Sequence, residues 1–128
     1  MAFDFVLDIV GTAIGLVFDD FDGGSDEVVI DKALIGTGFP ARFKKESGEY
    51  LDQFTRVFRG SASIRRAGAA ALDLAYVACG RLDGFWEPRL SVWDMAAGGL
   101  MIEAAGGLIG NEEGGPWTLD SKGIICGN

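Results

Sequence analysis

The spacing of hydrophobic positions changes repeatedly along the chain, and each change predicts an element. Residues 1–18 are almost continuously apolar and read as one or two strands, followed by an acidic turn at Asp19–Glu27 around Gly23-Gly24. Val28–Phe39 is strand-like and is stopped at Gly38-Phe39-Pro40, because a residue before proline is pushed out of regular pairing. Over Glu46–Phe58, Tyr50, Leu51, Phe54, Val57 and Phe58 recur at helical spacing. A short strand is expected at Ser61–Arg66, then an Ala- and Leu-rich helix over Gly68–Cys79 closed by Gly80. Gly84–Glu87 reads as a short aromatic strand, and Asp94–Ala105 as a second helix closed by Gly106-Gly107. Leu108–Ile109 and Gly123–Cys126 complete the pattern as short strands around a Gly-Gly-Pro turn. Strands alternating with helices predict an α/β fold with some parallel pairing.

Composition narrows the chemistry. With 128 residues, 48% of them hydrophobic and 23% charged, the chain suits one ordinary domain with a core of its own. Its net charge of −8 is unevenly spread. Residues 1–31 hold Asp4, Asp8, Asp19, Asp20, Asp22, Asp26, Glu27 and Asp31 and no base, while residues 32–128 balance. The chain is therefore divided into an acidic, strand-like leader (1–31) and a neutral body (32–128). Neither part carries the basic stripe that general nucleic-acid binding requires. There is no histidine, which removes Ser-His-Asp and Cys-His catalysis together with zinc-histidine sites. The apolar run Ile9–Phe18 is too short for a membrane span, and Asp4 and Asp8 stand where a signal peptide carries positive charge, so a cytoplasmic protein without membrane contact is expected. Cys79 and Cys126 each sit in an apolar run, which favours buried free thiols, although spacing alone leaves a disulfide open.

The stretch Trp93-Asp94-Met95-Ala96-Ala97-Gly98-Gly99 holds the most informative acid. An aspartate at a helix start serves either as an N-cap or as a hard-metal ligand, and local chemistry leaves both readings open. Glu87, before Pro88, is either a site residue or an ordinary exposed acid, and Gly68 either a ligand contact or a helix-start glycine. The Arg65-Arg66 pair, with Arg42, Lys44 and Lys45 before it, reads as charge that keeps a strand edge soluble or, alternatively, as a phosphate-attracting patch, and Phe85, Trp86 and Trp93 read as core or site wall. An EF-hand at Asp20–Asp26 fails, since Gly24 takes a ligand position and Ser25 the place of the obligatory glycine.

Beyond local chemistry, Trp93-Asp94, Ala96-Ala97-Gly98 and Glu103-Ala104-Ala105-Gly106-Gly107 together resemble the C-terminal signature of the inositol monophosphatase family, with one extra alanine before the glycine pair. Upstream, Thr37-Gly38-Phe39-Pro40, Arg65-Arg66 followed by Gly68, Ala70–Ala78, and Gly80-Arg81-Leu82-Asp83-Gly84-Phe85 are similar to its bacterial branch. The resemblance covers about residues 32–128, the C-terminal half of a usual member. It implies the C-terminal αβ layers of the family's αβαβα sandwich.

The resemblance further implies Mg²⁺-dependent hydrolysis of a phosphomonoester, inositol monophosphate before others, by a homodimer. Asp94 then corresponds to a metal ligand, Glu87 to a contact with inositol hydroxyls, and Gly68-Ala69-Ala70 to a substrate-contacting helix start. Ala69 stands where the family has Thr or Ser, so the hydroxyl of that position is missing. The family's Asp-Pro-Ile-Asp-Gly-Thr motif, which supplies further metal carboxylates, is missing too. Its nearest echo, Leu7-Asp8-Ile9-Val10-Gly11-Thr12, has Val10 where the second aspartate belongs. The chain is thus expected to carry part of an active site, the alternative being a truncated, non-catalytic member that acts as a binding or assembly module.

Overall fold

A computed structural model describes residues 30–39, 45 and 47–127. The expectations for the leader fall outside these residues, apart from Ile30 and Asp31. Strands β1 (Leu34–Thr37), β2 (Ser63–Arg65), β3 (Gly84–Glu87), β4 (Leu108–Gly110) and β5 (Ile124–Gly127) form one five-stranded sheet, ordered β2-β1-β3-β5-β4. Helices α1 (Gly48–Gly60), α2 (Ala70–Ala78) and α3 (Val92–Ala104) connect them. β1 pairs in parallel with both β2 and β3, whereas β5 runs antiparallel to β3 and β4.

The connections explain the layering. Chain direction reverses after β2, since α1 leads from β1 outward to β2 and α2 leads back across β1 to β3. Right-handed crossovers then force the two helices onto opposite faces. Tyr50 and Val57 of α1 accordingly pack with Ile35, Trp86 and Ile125 on one face. Leu74 and Val77 of α2, with Met95 and Ile102 of α3, pack with Phe85, Ile124 and Cys126 on the other. The strands alternate between these two cores with the two-residue period of a sheet covered on both sides.

Three sequence expectations are corrected. Of the strand-like run Val28–Phe39, the described part from Ile30 onward is a 3₁₀ turn at Ile30–Lys32 followed by a strand of four residues, Leu34–Thr37. The consecutive exposed charges Asp31 and Lys32 interrupt the alternation, and Leu34 is anchored where its N–H donates to Asp83 Oδ2 at 2.7 Å. Cys126 is buried and free, but Cys79 is exposed at the end of α2, because its apolar run turns outward there. Phe85 and Trp86 are core residues, whereas Trp93 is 80% exposed.

On the α1 face, the helix is tied to the sheet at the end of β1. Thr37 is fully buried, and its Oγ1 lies 2.8 Å from the Tyr50 hydroxyl and donates to the Trp86 carbonyl at 3.0 Å. One side chain thus joins β1, β3 and α1. Thr37→Val keeps the shape but strips both polar partners, so unfolding free energy in urea should fall by about 1–2 kcal/mol. An unchanged midpoint would mean that the Tyr50 hydroxyl finds another partner. Burial already lifts the Tyr50 pKa while the Thr37 bond opposes it, so the variant's tyrosinate should form at still higher pH.

Candidate functional site

In an open parallel sheet, the carboxyl ends of strands at a reversal of connection form a natural crevice. Here that place lies between the ends of β1 and β3. Residues on the α2/α3 face at this edge are Gly36 and Gly38 from β1 and its continuation, and Phe85 and Glu87 from β3. Gly36 makes room for Phe85 and Gly38 for Glu87. A Cβ on Gly38 would collide with the Glu87 carboxyl, so only glycine lets that carboxyl settle over the strand end.

Glu87 is half-buried, and its surroundings define the site. Burial pushes its pKa up to about 7, against the pull of Arg66 and with further upward pressure from Asp73 and Asp94. The Arg66 guanidinium stacks on the Phe39 ring, with Cζ 4.5 Å from its centroid. Its Nη1 rests over Gly68, where a Cβ would approach to 2.6 Å, and Gly68 has φ +93°, a conformation that glycine adopts without strain. Phe39 in turn meets Tyr50 edge-on at 5.9 Å. Arg66 is therefore a fixed part of the crevice, in contrast to Arg65, which lies along the exposed edge strand β2. The sequence treats the two arginines alike; in the structure Arg65 donates to Ser63 Oγ and the Ile64 carbonyl on its own strand, while Arg66 reaches the Phe39 ring.

The raised pKa of Glu87 has a consequence for stability. Between the ordinary carboxylate value of 4.5 and about 7, the folded chain holds a proton there that the unfolded chain has released. Stability should then fall as pH rises through this window, and the protein should be least stabilised by this group above it. Glu87→Gln removes the buried charge, so its melting temperature should exceed that of the parent at pH 8 and match it near pH 4. A difference on the order of 1–2 kcal/mol at pH 8 is expected after allowance for solvent. Equal pH profiles for the two proteins would show that Glu87 is not desolvated.

Asp94 lies in the first turn of α3, but as its third residue and not as the cap. The helix begins at Val92 with Ser91 as N-cap, and the Ser91 N–H donates to Asp94 Oδ2 at 3.0 Å in a capping box. The helix thus starts two residues ahead of the expected position. Asp94 remains partly exposed and close enough to Glu87 to raise its pKa. Gly68 and Ala69 are exposed in the loop entering α2, and Ala70 is the first helical residue. The edge therefore gathers Glu87, Arg66 and Asp94 with the amino ends of two helices, whose first N–H groups lack intrahelical partners.

This donor set does not make a Mg²⁺ cage. Among the described residues no group of three or more acidic or cysteine side chains is placed to hold a metal ion. Asp94 also spends one carboxylate oxygen on its own helix.

Asp73 is a buried acid that the sequence motifs do not single out, and its charge adds to the upward pressure on the Glu87 pKa. It is the one charged side chain in the core of the described residues, 3% exposed. A signal is present: Ala70, Asp73, Leu74 and Val77 share one face of α2, so an acid interrupts an otherwise apolar stripe.

An α/β fold with its polar residues gathered at the strand-end reversal is the architecture of small-ligand-binding proteins of this class. The model of the inositol monophosphatase family matches residues 23–128. The chain belongs to that family. It is 50% identical over 99 residues to the inositol-1-monophosphatase of Rhizobium meliloti, covering 77% of this chain and 37% of that protein. It is 50% identical over 103 residues to Nus factor SuhB of Pseudomonas aeruginosa, again with 77% and 37% covered. The solved inositol monophosphatase of Anabaena superposes with a TM-score of 0.73 at 36% identity, over 81% of this chain and 41% of that one. The α/β fold is thus that of inositol monophosphatases. The chain spans less than two-fifths of the length of the curated relatives it matches. Among the described residues no helix is long and apolar enough to cross a membrane.

Proposed function

We propose that this chain carries the polyol-binding part of a Mg²⁺-dependent phosphomonoesterase site, with inositol monophosphate as the substrate. The observation that supports it most is the Glu87 carboxyl, half-buried over Gly38 beside Arg66 and the amino end of α2. A carboxylate held there accepts hydrogen bonds from substrate hydroxyls. The N–H groups at Gly68, Ala69 and Ala70 face an anion or a further hydroxyl. Asp94 contributes one metal carboxylate, and the remaining ligands have to come from polypeptide that the motifs of this chain do not supply. When bound, Mg²⁺ would activate the attacking water and offset charge on the phosphoryl group.

Titrating the chain with myo-inositol 1-phosphate in millimolar-range Mg²⁺, followed by amide NMR, tests this reading. Shifts at Gly38, Gly68 and Ala69, abolished in Glu87→Gln, are expected. Shifts elsewhere, or none, would overturn it.

A second reading is favoured by one finding, the name Nus factor SuhB borne by a relative as similar as the phosphatase. On that reading the chain is a non-catalytic binding or assembly module, and ligand shifts at Glu87 would be missing. Either way a homodimer in the cytoplasm is the proposed state, and sedimentation showing only monomer at moderate salt would count against the dimer.

A further inference from the structure

We infer that a small cavity between α1, the end of β3 and the β4–β5 connection binds one water molecule, which bridges the Trp86 indole to the Glu112 carboxylate. The cavity measures about 20 Å³, and Gln53, Trp86, Pro88 and Glu112 are among the residues that line it. Glu87 shares the wall, which places the water next to the backbone that carries the crevice carboxyl. The site does not depend on polyol binding at the crevice.

Two polar atoms define it. Trp86 is 2% exposed, and its ring stacks on Tyr50 at 6.0 Å and lies 6.4 Å from Phe54, so the indole is not free to turn its N–H out to solvent. That Nε1 is buried and meets no hydrogen-bond partner among the described residues. The Glu112 carboxylate is fixed as well. Its Oε1 accepts the Lys122 N–H at 3.1 Å, and its stem lies over Gly123, where an added Cβ would approach the Glu112 Cβ and the Pro88 Cα to 3.0 Å. Its Oε2 is buried and, among the described residues, unpartnered. Native folds satisfy nearly all such buried groups, with ordered water where protein atoms do not reach.

An indole N–H only donates and a carboxylate only accepts, so the occupant has to accept from one and donate to the other. A cation cannot accept from the indole, and an anion is repelled by Glu112. A water needs about 10–15 Å³, so the cavity admits one and is too small for a polyol. The Gln53 amide on the wall offers a third partner, the usual number for a buried water. The bridge ties the core under α1 to the β4–β5 connection.

The test is NMR on the ¹⁵N-labelled chain, with the Trp86 indole signal assigned by its loss in Trp86→Phe. A cross peak between water and the Trp86 indole proton is expected, with NOE and ROE of opposite sign, which marks a bound water and not proton exchange. Glu112→Met keeps the length of the side chain without an acceptor oxygen, and should abolish that cross peak while the Trp93 indole signal and the circular dichroism stay unchanged. No such cross peak in the parent chain, or one with the sign of exchange, would overturn the inference without touching the polyol site. A cross peak that persists in the folded Glu112→Met variant would overturn the bridge. An indole signal moved by Gln53→Leu, with no bound water in the parent, would show instead that the indole bonds directly to the Gln53 amide.

Discussion

Incubated alone with inositol monophosphate and millimolar-range Mg²⁺, this 128-residue chain should release phosphate at least roughly 10²–10³-fold more slowly than a median enzyme turnover of about 10 s⁻¹. Two-metal phosphoryl transfer needs carboxylates that bridge and space the ions. Deleting even one preorganised electrostatic group typically costs about 10²–10³ in rate, and here several are missing. Asp94 is the one acid with the expected role. Its Oδ2 already accepts the Ser91 N–H, which leaves less of the carboxylate for an ion that gives up its water reluctantly. Asp94→Asn should consequently change the residual rate little. Turnover near 10 s⁻¹, abolished by that substitution, would mean that acids of the leader rebuild the metal site.

Gly98→Ala should be among the most destabilising single-methyl changes in the chain. Gly98 is buried where α3 crosses α2, and a Cβ there would collide with the Leu74 Cβ and fall 2.6 Å from its Cδ1. The Leu74 Cβ is fixed to its own helix, and the side chain is completely buried, so neither atom has room to retreat. The helices must separate. Overpacking of this kind costs about 1–3 kcal/mol, and the rigid contact places Gly98→Ala near the top of that range. A fall in melting temperature of about 10 °C is expected for a domain of this size. Because the amino ends of α2 and α3 border the crevice, ligand shifts at Gly38 and Gly68 should weaken in the same variant. A melting temperature within about 2 °C of the parent would show that the helices part at little cost.

Both predictions draw on motifs that are legible in the sequence. Gly98 stands in the small-residue run after Asp94, and the family assignment follows from that run and its neighbours. Other features do not follow from it. Local chemistry offers Asp94 as a helix cap, but Ser91 takes that place, since a capping box is decided by which of two nearby polar residues the incoming loop presents. Trp93 reads as core or site wall, and stands exposed on the outer side of α3. Sequence periodicity tells that α3 is apolar all round; it does not tell which side the sheet covers.

What the sequence determined by itself is local and ordered. It set the alternation of strands and helices, the glycine stops after α2 and α3, the absence of imidazole chemistry and the family to which the chain belongs. Those depend on residues close in the chain, whose steric and hydrogen-bonding preferences act over a turn or a strand. What only the tertiary structure decided is which side chains meet. Glu87 and Gly38 are far apart in the chain, and Arg66 reaches the same crevice from the connection between β2 and β3. Their meeting depends on strand order, on the reversal after β2 and on burial that raises the Glu87 pKa. Each of these is a property of packed surfaces, so no window of sequence holds it.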